Sequence, residues 1–125
     1  MVMQEPAVQD ENGFDTYVNG GVPSTTGPKI EVVASNESDP GAATFCIRDE
    51  DHTLGNALRY IIMKNPAVEF CGYSIPHPSE YMVNLRIQTD GSISAVDALH
   101  RGLDDLINLT SHISSTFQDK VQAFK

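Results

Sequence analysis

Phe45-Cys46-Ile47-Arg48-Asp49-Glu50-Asp51-His52-Thr53-Leu54-Gly55-Asn56-Ala57-Leu58-Arg59 passes from a strand pattern to a helix pattern in one short run. Asn65-Pro66 and Glu69-Phe70-Cys71-Gly72-Tyr73-Ser74-Ile75-Pro76-His77-Pro78 follow it. Thr53 reads as an N-cap, because its hydroxyl can accept from an orphan amide of the first turn. Asp49, Glu50 and Asp51 sit where the positive end of the helix dipole favours carboxylates. Leu54, Ala57, Leu58, Ile61 and Ile62 recur at the spacing of one apolar helical stripe. Lys64-Asn65-Pro66 ends it with a cation, a residue tolerant of left-handed backbone and a helix breaker. The predicted helix runs from about Thr53 to Lys64.

Gly55 costs up to about 1 kcal/mol relative to alanine inside a helix. Either a fraying first turn tolerates it, or another backbone approaches closely there; the small neighbour Ala57 favours the second reading. A strand is expected from Val68 to about Ile75, and Pro76-His77-Pro78 makes a stiff corner that cannot extend a ladder.

The pair Glu50-Asp51-His52-Thr53-Leu54-Gly55-Asn56 and Gly72-Tyr73-Ser74-Ile75-Pro76-His77-Pro78 resembles the small α-like subunits of multi-subunit RNA polymerases, archaeal subunit L included. Ile62-Met63-Lys64-Asn65-Pro66 with Val68-Glu69-Phe70-Cys71-Gly72-Tyr73 is most similar to the type shared by RNA polymerases I and III. The resemblance covers about residues 29 to 122.

Working outward, residues 1–28 mix polar, acidic, Gly and Pro residues with little apolar pattern and read as a disordered acidic arm. Residues 29–125 form the expected domain. Lys29–Ala34 gives a first strand, Ser35–Gly41 a loop of turn formers, and Ala43–Arg48 a second strand antiparallel to the first. Tyr81, Val83, Leu85 and Ile87 alternate with Met82, Asn84, Arg86 and Gln88, so one face of a sheet is covered and the other is not. Asp90-Gly91 turns the chain.

Ser94 caps the last helix, with Asp97 three residues on. Val96, Leu99, Leu103, Leu106, Thr110, Ile113, Phe117, Val121 and Phe124 alternate spacings of three and four. From Ser94 to Phe124 such a helix is about 45 Å long, whereas a compact domain of roughly 100 residues has a radius of gyration near 13 Å. Some of its stripe therefore needs cover from another chain. The alternative is a kink or fraying after Thr110-Ser111. Strand, strand, helix, strand, strand, helix gives an α+β fold: a four-stranded, mainly antiparallel sheet with two helices on one face.

Composition narrows the function. The net charge is −9 with eight basic residues, none before Lys29, so no cluster for gripping a phosphate backbone is evident. No apolar run is long enough to span a bilayer, and no secretory leader pattern opens the chain. Cys46 and Cys71 fall in strands and read as small reduced hydrophobes. His52 beside three acids invites a metal, but adjacent residues at a helix start diverge, and helix electrostatics account for the acids. His100 and Asp104 read as a surface pair, and His77 as a corner residue contacting a neighbour. No nucleophile elbow, glycine-rich phosphate loop or zinc-spaced cysteine pair occurs.

The resemblance implies a non-catalytic subunit of RNA polymerases I and III, without cofactor, in the nucleus and nucleolus. It implies a heterodimer with the large α-like subunit. That pair serves as the platform for the largest and second-largest subunits and small assembly subunits, in synthesis of ribosomal precursor RNA, 5S RNA and transfer RNA. The expected interface is Leu54, Gly55, Leu58 and Ile62 from the first helix and Leu106, Thr110, Ile113, Phe117 and Val121 from the second. The other class of function left open is a homodimeric scaffold domain unrelated to transcription, using the same helices.

Overall fold

The computed structural model describes residues 27–125 together with two short strands, β1 (Val8–Gln9) and β2 (Asp15–Thr16), which pair antiparallel. The expected disordered arm otherwise lies outside the described residues. Four longer strands, β3 (Ile30–Asn36), β4 (Asp39–Arg48), β5 (Val68–Ser74) and β6 (Met82–Thr89), form one antiparallel sheet in the order β3-β4-β6-β5. Helices α1 (His52–Ile62) and α2 (Ala95–Phe124) lie on one face of it. The α+β expectation therefore holds.

Alternation places the core. Val83, Leu85 and Ile87 from β6 meet Ala43, Phe45 and Ile47 from β4 beneath the helices, all buried. Leu58 and Ile62 from α1 and Ala95, Ala98 and Leu99 from α2 close the core from above. On the open face Arg86 donates to Thr44 Oγ1 at 3.3 Å. Both cysteines are free and buried. Cys71 joins the core cluster, while Cys46 sits opposite Asn84 on the other face.

Several boundaries differ from the sequence reading. The N-cap of α1 is Asp51, not Thr53, and its carboxylate accepts from the Thr53 amide at 2.9 Å. A carboxylate two residues earlier serves both as cap and as dipole partner. The helix stops at Ile62, with Met63 as C-cap. The loop expected over residues 35–41 shrinks to Glu37-Ser38, since Asn36 already pairs with Asp39. The Asn36 side chain accepts from the Ser38 amide and hydroxyl at 3.1 and 2.7 Å, so the turn formers act within a single turn. Tyr81 precedes β6 and is exposed. Ser94 caps α2 as expected, accepting from the Asp97 amide at 3.0 Å.

Candidate docking surface

α2 is unbroken through Thr110-Ser111, so the expected alternative of a kink there does not occur. Thr110 turns its hydroxyl back to the carbonyls of Leu106 and Ile107, at 3.0 and 2.9 Å, without interrupting the helix. The first three turns bury Ala95, Ala98, Leu99 and Gly102 against the sheet and α1, with Leu103 and Leu106 half-buried. Every residue from Ile107 onward is exposed. That distal length is about 27 Å of helix.

The distal stretch is not polar. Ile113 is 57% exposed, Phe117 69% and Phe124 93%, and Ile107, Leu109 and Val121 are also open. Ile113, Phe117 and Phe124 prolong the stripe that Ala95, Leu99 and Leu106 lay on the sheet. The sheet ends before the stripe does. Leaving large apolar side chains in water forgoes roughly 1.5–3 kcal/mol each.

Of the expected interface residues, the structure brings Ile113, Phe117 and Val121 together on this exposed length, with Thr110 at its start. Leu106 marks the edge of the core, and Leu54 packs half-buried against it. Gly55, Leu58 and Ile62 lie inside, with Leu58 and Ile62 at 0% and 1% exposure. What approaches Gly55 is the chain's own Tyr73 side chain, not a backbone: a Cβ there would stand 2.9 Å from the ring. The same Tyr73 hydroxyl is hydrogen-bonded to His52 Nδ1 at 2.9 Å, tying the start of α1 to β5. His77 accepts at Nδ1 from the Ser79 amide at 3.1 Å and pairs with the Ser79 hydroxyl, which stiffens the corner.

Two features escaped the sequence reading. Val96 fits the apolar spacing of the helix, yet it is exposed, and Ala95 and Ala98 are buried in its stead. Gly102 lets α1 pack tightly on α2, since a Cβ there would overlap Ile62 Cγ1. The small residues Ala95, Ala98 and Gly102 at helical spacing were the available signal.

Ion pairs join Lys29 to Glu50 at 3.0 Å and Arg48 to Glu31 at 2.7 Å, at the exposed β3 edge. Among the described residues no group of His, Cys, Asp and Glu could hold a metal ion, and no helix is long and apolar enough to cross a membrane.

A half-covered sheet with a projecting amphipathic helix defines a protein–protein docking domain. Residues 42–116, from within β4 to the distal part of α2, match the RNA polymerase Rpb3/Rpb11 dimerisation domain. DNA-directed RNA polymerases I and III subunit RPAC2 of Saccharomyces cerevisiae is 50% identical over 125 residues, spanning 96% of this chain and 88% of that protein. The like-named subunit of Schizosaccharomyces pombe is 56% identical over 93 residues, 74% of each chain. In fold, DNA-directed RNA polymerase subunit L from Thermoplasma acidophilum superposes with a TM-score of 0.63 at 22% identity, covering 76% of this chain and 90% of that one. The chain belongs to the Rpb3/Rpb11 dimerisation-domain family, among small α-like subunits of the kind shared by RNA polymerases I and III. It is a structural subunit type and not a catalytic one.

Proposed function

We propose that the chain pairs with the large α-like subunit of RNA polymerases I and III, and that the pair is the platform on which the two largest subunits assemble. The observation that carries this reading is the exposed distal stripe of α2, with Ile113, Phe117 and Phe124 more than half open. The names of its relatives support polymerases I and III as the setting. In that role it serves synthesis of ribosomal precursor RNA, 5S RNA and transfer RNA in the nucleus and nucleolus. Its −9 charge suits a subunit that meets nucleic acid through partners and not by its own surface. The division into an arm, residues 1–28, and a dimerisation domain, residues 29–125, belongs to the same reading. Of the nine interface positions expected from the sequence, those on the distal helix carry the contact, and Leu58, Ile62 and Gly55 shape the core that holds the helix in place. His77 belongs to a separate contact with another subunit at the rigid corner.

Phe117→Asp tests it. The substitution lies far from the core, so the sheet stays folded, while a charge is set in the middle of the apolar stripe. Recovery of the large α-like chain in co-purification is expected to fall on the order of tenfold or more. Undiminished recovery contradicts the reading.

A further inference from the structure

The face of the sheet turned away from the helices has a cation near its middle. Side chains that alternate with the core residues of β4 and β6 point to this open side. Arg86 is one of them, on β6, which is an inner strand. Thr44 on β4 and Gly72 on β5 stand opposite it, and Asn84 and Gln88 flank it along its own strand. Residues directly opposite share a face, and none of these four is charged. The half-buried Arg86 guanidinium donates to Thr44 Oγ1 at 3.3 Å. The ion pairs among the described residues, Lys29 with Glu50 and Arg48 with Glu31, do not include it. Phe70 adds an apolar surface beside it. A Cβ on Gly72 would stand 2.9 Å from Phe70 Cζ, so the half-open ring lies over the position opposite Arg86.

The chain joins the domain at the rim of the same face. Arg48 alternates with the core residue Ile47 and therefore belongs to the open side. Its Nε donates to the Pro28 carbonyl at 3.1 Å, and its other arm meets Glu31 at 2.7 Å. Gly27 runs against the same guanidinium, since a Cβ there would stand 3.3 Å from Nε. Residues 1–26, attached at this point, carry Glu5, Asp10, Glu11 and Asp15 and no Lys, Arg or His. They also carry Phe14 and Tyr17.

We infer that this acidic arm docks across the open face of its own sheet, with a carboxylate on Arg86 and an aromatic side chain against Phe70. Charge complementarity and the point of attachment select the arm as occupant. The chain as a whole is at −9, yet the centre of this face offers a guanidinium with no acid beside it. Arg86 lies one strand across and four residues along from Arg48, about 14 Å away. The chain from Asp15 to Gly27 reaches up to about 40 Å when extended, so all four carboxylates are within range. A tether this short holds the arm at an effective concentration in the millimolar range, enough for a contact too weak to retain a free peptide. Because the face lies across the sheet from α2, the inference stands apart from the pairing proposed above.

A photo-crosslinking residue at position 70 tests it, in the full chain purified with the large α-like subunit from an equal mixture of isotopically light and heavy chains. Mass spectrometry is expected to find linkage to residues 1–26 of the same chain. The yield should fall on the order of fivefold in Arg86→Gln, and likewise when Glu5→Gln, Asp10→Asn, Glu11→Gln and Asp15→Asn are combined. The arm substitutions lie outside the sheet, so they report even where Arg86→Gln disturbs the fold. Linkage to another chain, a light-to-heavy product from a second copy included, overturns the inference. So does the absence of linkage to the arm, or a yield unchanged by either set of substitutions.

Discussion

Tyr73 lies so close over Gly55 that a methyl group there would meet its ring atoms at 2.9 Å. The sequence favours the close approach of another backbone at Gly55, and a bulky residue there would then impair assembly more than stability. With the chain's own ring in that place, the effect falls on folding. Gly55→Ala gains up to about 1 kcal/mol of helix propensity but overpacks the contact by about 1–3 kcal/mol. Net destabilisation is expected in denaturant melts, and a more stable variant would contradict the contact. Cys71 offers a test by pH. Burial pushes its thiol up from 9.0 to about 11, with the Arg59 guanidinium drawing it partly back. The folded value is raised, so the folded state keeps the proton longer than the unfolded state. The resulting stabilisation is whole below pH 9 and is lost as pH climbs through about 11. Cys71→Ala should start from a lower stability and show a flatter decline over that window; an unchanged slope would place the cause elsewhere. At neutral pH the folded chain should resist iodoacetamide at Cys71.

At the scale of elements, periodicity made most of the fold legible. The alternation of Val83, Leu85 and Ile87 identified the covered face of β6, and the three-and-four spacing found α2 to its last turn. What one-dimensional patterns left open was rotation and exact ends. Val96 fits the spacing as well as Ala95 does, and only the position of α1 decides which side of α2 is inside. Likewise Asp51 and Thr53 are both good caps, and the backbone alone selects Asp51. The consequence is specific: Asp51→Ala should cost about 1 kcal/mol of stability, and Thr53→Ala less. Equal costs in denaturant melts would return the cap to Thr53. The interface was legible only where helix outran sheet. Leu58 and Ile62 are large apolar residues like Ile113 and Phe117, and burial within the chain's own core is what separates them.

For the whole molecule, the governing fact is a mismatch of lengths. An eight-residue strand such as β6 extends about 27 Å, whereas α2 extends about 45 Å. The surplus carries apolar side chains in line with the core, and it is this length that the proposed pairing covers. Amide hydrogen exchange over residues 107–124, with and without the large α-like subunit, tests this most directly. The account predicts rapid exchange across that length in the free chain and strong protection once the partner is added, with β4 and β6 protected in both. Unchanged exchange over residues 107–124 on formation of the pair would contradict it.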